Sequence, residues 1–138
     1  MKPLVIGVSA ILPLAFPDEE QRYAERVLDE LGRVGGAVPS IFWYELWNVL
    51  WTNMAKRNRI DWEKAIDFLA AVDSFRLVTA PLADPRALLD LAVATRVTAY
   101  DAAYLELARR DGLRLATLDA GLISAAKSSG LVDIYSDA

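Results

Sequence analysis

Three carboxylates, Glu45, Asp101 and Asp119, stand where the pattern of the chain puts the ends of elements or the polar line of a helix. Carboxylates, hydroxyls, lysine or arginine must carry any chemistry, because the 138 residues include no histidine and no cysteine. That absence removes a Ser-His-Asp arrangement, a thiolate nucleophile, imidazole or thiolate metal sites and any disulfide framework. Each acid has an ordinary explanation. Asp119 follows the run Leu113 to Leu118 and precedes a helix of small residues, where it can serve as an N-cap. Asp101 stands three residues after Thr98, the spacing of a capping box. Glu45 can be a solvated charge on an exposed helix face. Asp101 fits least well, since it shares its helical face with Tyr104, Leu105 and Ala108, the side that should turn toward a sheet. An inward carboxylate needs a partner, and a second carboxylate or a metal ion supplies one better than solvent. If the three acids converge at the carboxyl edge of a sheet, they form an oxygen-only site of the kind that suits Mg²⁺ or Mn²⁺. An ion held that way can generate a hydroxide nucleophile and stabilise a phosphodiester under attack without histidine.

The elements that must position these acids follow from periodicity. Short apolar runs alternate with longer segments of helical period, the signature of βαβ units and a parallel sheet. Strands are expected at Leu4 to Gly7, Ala37 to Pro39, Arg76 to Thr79, Leu113 to Thr117 and Leu131 to Tyr135. Helices are expected at Glu19 to Arg33, Ile41 to Arg57, Trp62 to Val72, Pro85 to Thr95, Ala99 to Asp111 and Ala120 to Ser128. With no repeat, low-complexity tract or linker, residues 1–138 read as one domain. In the helix after Ser40, Trp43, Leu46, Trp47, Leu50, Trp51 and Met54 share one broad face, and Glu45, Asn48 and Thr52 the other. Core packing accounts for that stripe of tryptophans, and so does a subunit or partner interface. The first strand ends on Gly7, which on strand grounds marks a bulge or a place where a ligand approaches the backbone closely.

The net charge of −4 argues against a uniformly positive nucleic-acid surface. Two local basic clusters, Lys56-Arg57-Asn58-Arg59 and Arg109-Arg110 with Arg114, read first as solvated helix ends. The apolar run from Pro3 to Phe16 is broken by Gly7, Ser9 and Pro13 and followed by Asp18-Glu19-Glu20. It is a poor signal peptide, and no run reaches membrane-spanning length. A cytoplasmic protein without membrane contact is the expectation.

Four segments together resemble the PIN-domain ribonucleases, and among them the VapC-type toxins of toxin–antitoxin pairs. They are Val5-Ile6-Gly7-Val8-Ser9, Val38-Pro39-Ser40 leading into Glu45-Leu46-Trp47-Asn48-Val49-Leu50, Thr98-Ala99-Tyr100-Asp101-Ala102-Ala103-Tyr104, and Leu115-Ala116-Thr117-Leu118-Asp119. The resemblance spans nearly the whole chain. It implies a three-layer α/β/α sandwich around a mostly parallel sheet, with an acidic cluster that holds Mg²⁺ or Mn²⁺ and cuts single-stranded RNA. Glu45, Asp101 and Asp119 match the family's acidic positions; Ser9 and Thr117 match its supporting hydroxyls. At the first strand end the family pattern is usually Asp-x-Ser, and here it is Gly7-Val8-Ser9, so the leading metal-binding aspartate is absent. The resemblance also implies a homodimer silenced by a cognate VapB-type antitoxin. Two other readings stand beside the impaired nuclease. One is a non-catalytic PIN-like module that binds RNA or an antitoxin. The other is a phospho-acceptor signalling domain, which needs a lysine beside its acids; Lys2, Lys56, Lys64 and Lys127 do not fall at strand ends.

Overall fold

A computed structural model of the chain describes residues 2–130 and 132–136. Strand β1 (Leu4–Ile6) leads directly into a short helix α1 (Val8–Ile11) and a 3₁₀ turn (Leu12–Ala15). Then follow α2 (Arg22–Val34), β2 (Gly36–Pro39), α3 (Ile41–Ala55), α4 (Trp62–Ser74), β3 (Val78–Ala80), α5 (Pro85–Thr95), α6 (Ala99–Asp111), β4 (Leu115–Ala116) and α7 (Ala120–Ser129). All strand pairs are parallel, in the order β3-β2-β1-β4. Leu4, Val5 and Ile6 are fully buried. An unbroken apolar run is what a central strand covered on both faces requires.

The chain steps outward from β1 to β2 to β3, then returns to lay β4 on the other side of β1. Right-handed crossovers therefore place α2 and α6 on opposite faces, which gives the three layers. In accord with this, α2 packs on β1 and α1, while α6 lies across β1, β2 and β4 with α5 alongside. The reversal of strand order between β1 and β4 opens a crevice at the carboxyl edge, the place where open α/β sheets gather their ligands. Gly36 allows the tight approach of β2 to its neighbours: a Cβ there would sit 2.6 Å from both Leu31 and Leu77.

Several element ends differ from expectation, each for a local reason. The helix expected from Glu19 begins at Arg22. Gln21 ties the preceding loop by donating from Nε2 to the carbonyls of Pro13 and Phe16, and the Glu20 carboxylate accepts from the Arg22 amide. The strand expected from Arg76 starts two residues later, because Arg76 is in the left-handed region at φ 54°. The strand expected over Leu113 to Thr117 is ladder-paired only at Leu115–Ala116. Of the last expected strand, Ile134 bridges in parallel to Leu115, and Leu131 lies outside the described residues. The pattern of segment 8–15 predicts no element, yet the segment forms α1 and the 3₁₀ turn.

The tryptophan face of α3 is only in part its core face. Phe42, Leu46, Leu50 and Asn53 point inward, whereas Trp47 and Trp51 are about half exposed, at 53 % and 54 %. The helix is apolar over most of its circumference, so the stripe read from the tryptophans overlaps the core sector only in part: Leu46 and Leu50 are buried and Trp43 and Met54 pack against the core, while Trp47 and Trp51 lie outside it. Glu45 consequently lies at the margin of the buried side and is itself partly buried.

Candidate functional site

The carboxyl ends of β1 and β4 are stitched together by hydroxyls. Gly7 donates its amide to the Ala116 carbonyl at 2.9 Å, and Ser9 Oγ lies 3.1 Å from Thr117 Oγ1. Ser9 Oγ also accepts the Leu118 amide at 2.8 Å, and Thr117 Oγ1 accepts the Asp119 amide at 3.1 Å. The short helix α1 is what turns Ser9 back over the sheet edge. Asp119 caps α7 by accepting the Leu122 amide on Oδ1 at 2.8 Å, as its ordinary reading expects. Because that bond uses Oδ1, the second oxygen remains for another partner.

On the other flank, α3 and α6 meet through a polar contact. Tyr104 is buried, and its hydroxyl donates to Glu45 Oε1 at 2.6 Å. Burial pushes the Glu45 carboxyl above its usual value; the Tyr104 bond pulls it down; the negative charges of Asp101 and Asp119 push it up again. Burial likewise raises the Asp101 carboxyl, as does the charge of Asp119, against a lowering by Thr98. The Tyr104 hydroxyl is itself raised by burial and by its bond to Glu45. Thus Glu45 on α3 feels the charges of Asp101 on α6 and of Asp119 ahead of α7, and Asp101 feels that of Asp119. Among the described residues, no lysine or arginine forms an ion pair with any of them.

Two substitutions test these supports. Thr98 accepts the Asp101 amide at 3.1 Å as the N-cap of α6, so Thr98→Ala is expected to cost about 1 kcal/mol in denaturant unfolding. Tyr104→Phe removes the bond to Glu45 and is expected to cost about 1.5 kcal/mol. Because that bond lowers the Glu45 carboxyl, its loss moves the Glu45 titration, followed by carboxyl-carbon NMR, to higher pH. An unmoved titration would show that the contact does not hold Glu45 in solution.

Gly7 is buried in extended backbone, φ −87° and ψ 161°, a conformation open to any residue. A Cβ at this position would lie 3.3 Å from Thr117 Oγ1, 3.5 Å from its Cβ and 3.7 Å from the Ala116 carbonyl oxygen. The nearest of these atoms belongs to a side chain and needs to give only a few tenths of an ångström.

The donor set consists of carboxylate and hydroxyl oxygens, the kind that hard divalent ions prefer. The raised carboxyls of Glu45 and Asp101 are the electrostatic condition a divalent ion relieves. As the side chains stand, no three acids among the described residues lie close enough to hold one ion. Two carboxylates with water and a substrate phosphate are a normal Mg²⁺ environment, so the donors still fit in kind. Three arginines of the basic clusters are engaged elsewhere. Arg59 pairs with Glu19 and Asp18 and lies over Phe16, Arg110 pairs with Glu106, and Arg114 pairs with the buried Glu30. Tyr104, which holds Glu45, is not among the candidate site residues of the sequence reading. Its signal is the tyrosine three residues beyond an inward Asp101, on the same face.

Residues 5–128 match the PIN domain family. The chain belongs to the PIN-domain family. Two relatives of the PIN chain come from Pyrobaculum aerophilum. Exonuclease VapC9 is 38 % identical over 92 residues, covering 66 % of this chain and 65 % of its own length. Ribonuclease VapC3 is 33 % identical over 119 residues, covering 84 % of this chain and 88 % of its own. The crystal structure of PAE2754 from the same organism superposes with a TM-score of 0.72 at 28 % identity, over 96 % of this chain and 84 % of that one. The PIN fold expected from sequence, a parallel sheet between helical layers, is the fold found.

Proposed function

We propose that this PIN domain is the nuclease toxin of a toxin–antitoxin pair, built to cut single-stranded RNA endonucleolytically with Mg²⁺ or Mn²⁺, and that Gly7 impairs it. The observation that carries the reading is the gathering of Glu45, Asp101 and Asp119 about the β1/β4 crevice, where Glu45 feels the charges of both aspartates, Asp101 feels that of Asp119, and among the described residues no lysine or arginine pairs with any of them. The names of the VapC relatives support it. Asp101 and Asp119 are the residues to hold the ion, with Glu45 beside them, kept in place by Tyr104. When bound, the ion supplies an activated water and neutralises charge on the phosphodiester. Ser9 and Thr117 fix the loop carrying Asp119, and the vacated position 7 faces Thr117. A VapB-type antitoxin is the partner of this reading, the protein acts as a homodimer, and its location is the cytoplasm. Among the described residues no helix is long and apolar enough to cross a membrane.

The test is cleavage of a single-stranded RNA blocked at both ends by this chain and by Gly7→Asp, with and without Mg²⁺. Internal cuts that need both the aspartate and the ion support the proposal; cuts independent of the ion count against it. The absence of a three-acid cluster among the described residues favours a second reading, a non-catalytic module that binds RNA or an antitoxin. That reading expects binding without cleavage in both forms.

A further inference from the structure

Beside the acidic crevice lies an apolar hollow that the acids do not use. Its volume is about 220 Å³, and Pro39, Ile41, Ala80, Leu82, Tyr100 and Ala103 form much of its wall. It is open to solvent at Tyr100, which is 65 % exposed. Pockets that enclose drug-sized molecules run to about 300–1,000 Å³, so this one has room for a single flat ring system.

Its position ties it to the acids. Ile41 and Glu45 are four residues apart on α3, and Tyr100 and Tyr104 are four apart on α6, so each pair shares a face about 6 Å apart along its helix. The second turns of these helices are joined by the bond from Tyr104 to Glu45, while the start of α3 and one face of α6, from Ala99 to Arg110, wall the hollow. Asp101 stands between Tyr100 and Ala103 in sequence, turned to the acids while its neighbours line the hollow. A strand whose phosphate meets an ion held at Asp101 thus has the exposed Tyr100 ring one residue along the helix, with the apolar slot opening beside that ring.

The wall also carries polar groups suited to a base edge. Ser40, Glu106 and Arg110 line the hollow. Glu106 is buried and takes Arg110 Nε and Nη2 at 3.1 and 2.8 Å, while Nη2 also reaches the Pro81 carbonyl at 3.2 Å. Arg110 Nη1 is left for a further acceptor.

We infer that this hollow is a nucleobase subsite, in which an unpaired base of the RNA strand stacks on Tyr100 and inserts toward Ala103, fixing which phosphodiester meets the acids. The inference rests on the nuclease reading above. Stacking on one aromatic side chain is sequence-tolerant, and the Glu106–Arg110 edge adds preference among bases.

Fluorescence anisotropy with a labelled hexaribonucleotide, strand integrity checked on a gel, tests it on the full chain in Mn²⁺ buffer. Tyr100→Ala is expected to weaken binding about tenfold, Tyr100→Phe to restore it, and Ala103→Met, which fills the slot, to weaken it similarly. A scan with one abasic nucleotide should find a position where wild type loses affinity and Tyr100→Ala loses nothing more. RNA bound equally by all forms would overturn the subsite alone and leave the hollow to an apolar side chain of a protein partner. No RNA binding by wild type or by Gly7→Asp would overturn the subsite together with the nuclease reading.

Discussion

Gly7→Asp is expected to raise Mg²⁺-dependent cleavage of single-stranded RNA by about a hundredfold or more. Positioning an ion and its water is worth several kcal/mol of transition-state stabilisation, and each factor of ten in rate takes about 1.36 kcal/mol. Position 7 ends β1 at the crevice, and a Cβ there would point toward Thr117, whose backbone leads to Asp119. An aspartate there adds a carboxylate on the β1 side of a group that otherwise comes from α3, α6 and the α7 cap. The fold should tolerate it. The backbone is already extended, replacing glycine narrows the unfolded ensemble by about 0.4–1 kcal/mol, and an aspartate preceding α1 can cap it. Against these gains stand the 3.3 Å approach to Thr117 Oγ1 and one more negative charge among three. Gly7→Ala separates the two effects, since it makes the same approach without a ligand and should leave activity at the level of this chain. Equal, negligible cleavage by the glycine chain, Gly7→Ala and Gly7→Asp under Mg²⁺ would remove the impaired-nuclease reading and leave the binding module.

What the sequence disclosed about this molecule follows the range of the forces involved. The strand Leu4–Ile6 and the helices of α5, α6 and α7 are local statements: an all-apolar run, a Pro after a capping Asp84, a capping Thr98, glycines at 112 and 130 in the left-handed region. Asp101 was legible as a misfit, because its face of α6 is otherwise apolar. Glu45 was not, because nothing along α3 tells which sector of a nearly all-apolar helix the sheet will claim. The choice falls to Phe42, Leu46 and Leu50 rather than to the tryptophans, and Glu45 is carried half inward with it. The contact to Tyr104 spans 59 positions and no periodicity encodes it. Short α1 was invisible for a similar reason, since four residues carry no period. Its role, presenting Ser9 to Thr117, exists only once β1 and β4 are neighbours.

The charges of the site supply the second large effect. Glu45 and Asp101 titrate above their usual values in the folded chain, so between the ordinary carboxylate range, about 3.9–4.3, and those raised values the folded state binds more protons than the unfolded. Stability therefore falls as pH rises through that window, and at neutral pH these two groups work against folding. A divalent ion should reverse the sign: Mn²⁺ should raise the thermal midpoint of Gly7→Asp at about pH 7.5 and do so much less at about pH 5, where protons compete for the same oxygens. At about a hundred times Kd the shift corresponds to about 2.7 kcal/mol. Asp101→Asn in the same background is expected to weaken Mn²⁺ binding at least about a hundredfold by calorimetry, since losing a direct ligand exceeds the roughly 10–100-fold typical of groups one shell out. Without metal, Asp101→Asn should not lower the midpoint, because it deletes a charge the fold holds at a disadvantage. That combination distinguishes a ligand from a structural carboxylate, whose loss lowers stability with or without the ion. Mn²⁺ bound as tightly by the asparagine form would place the ion away from Asp101.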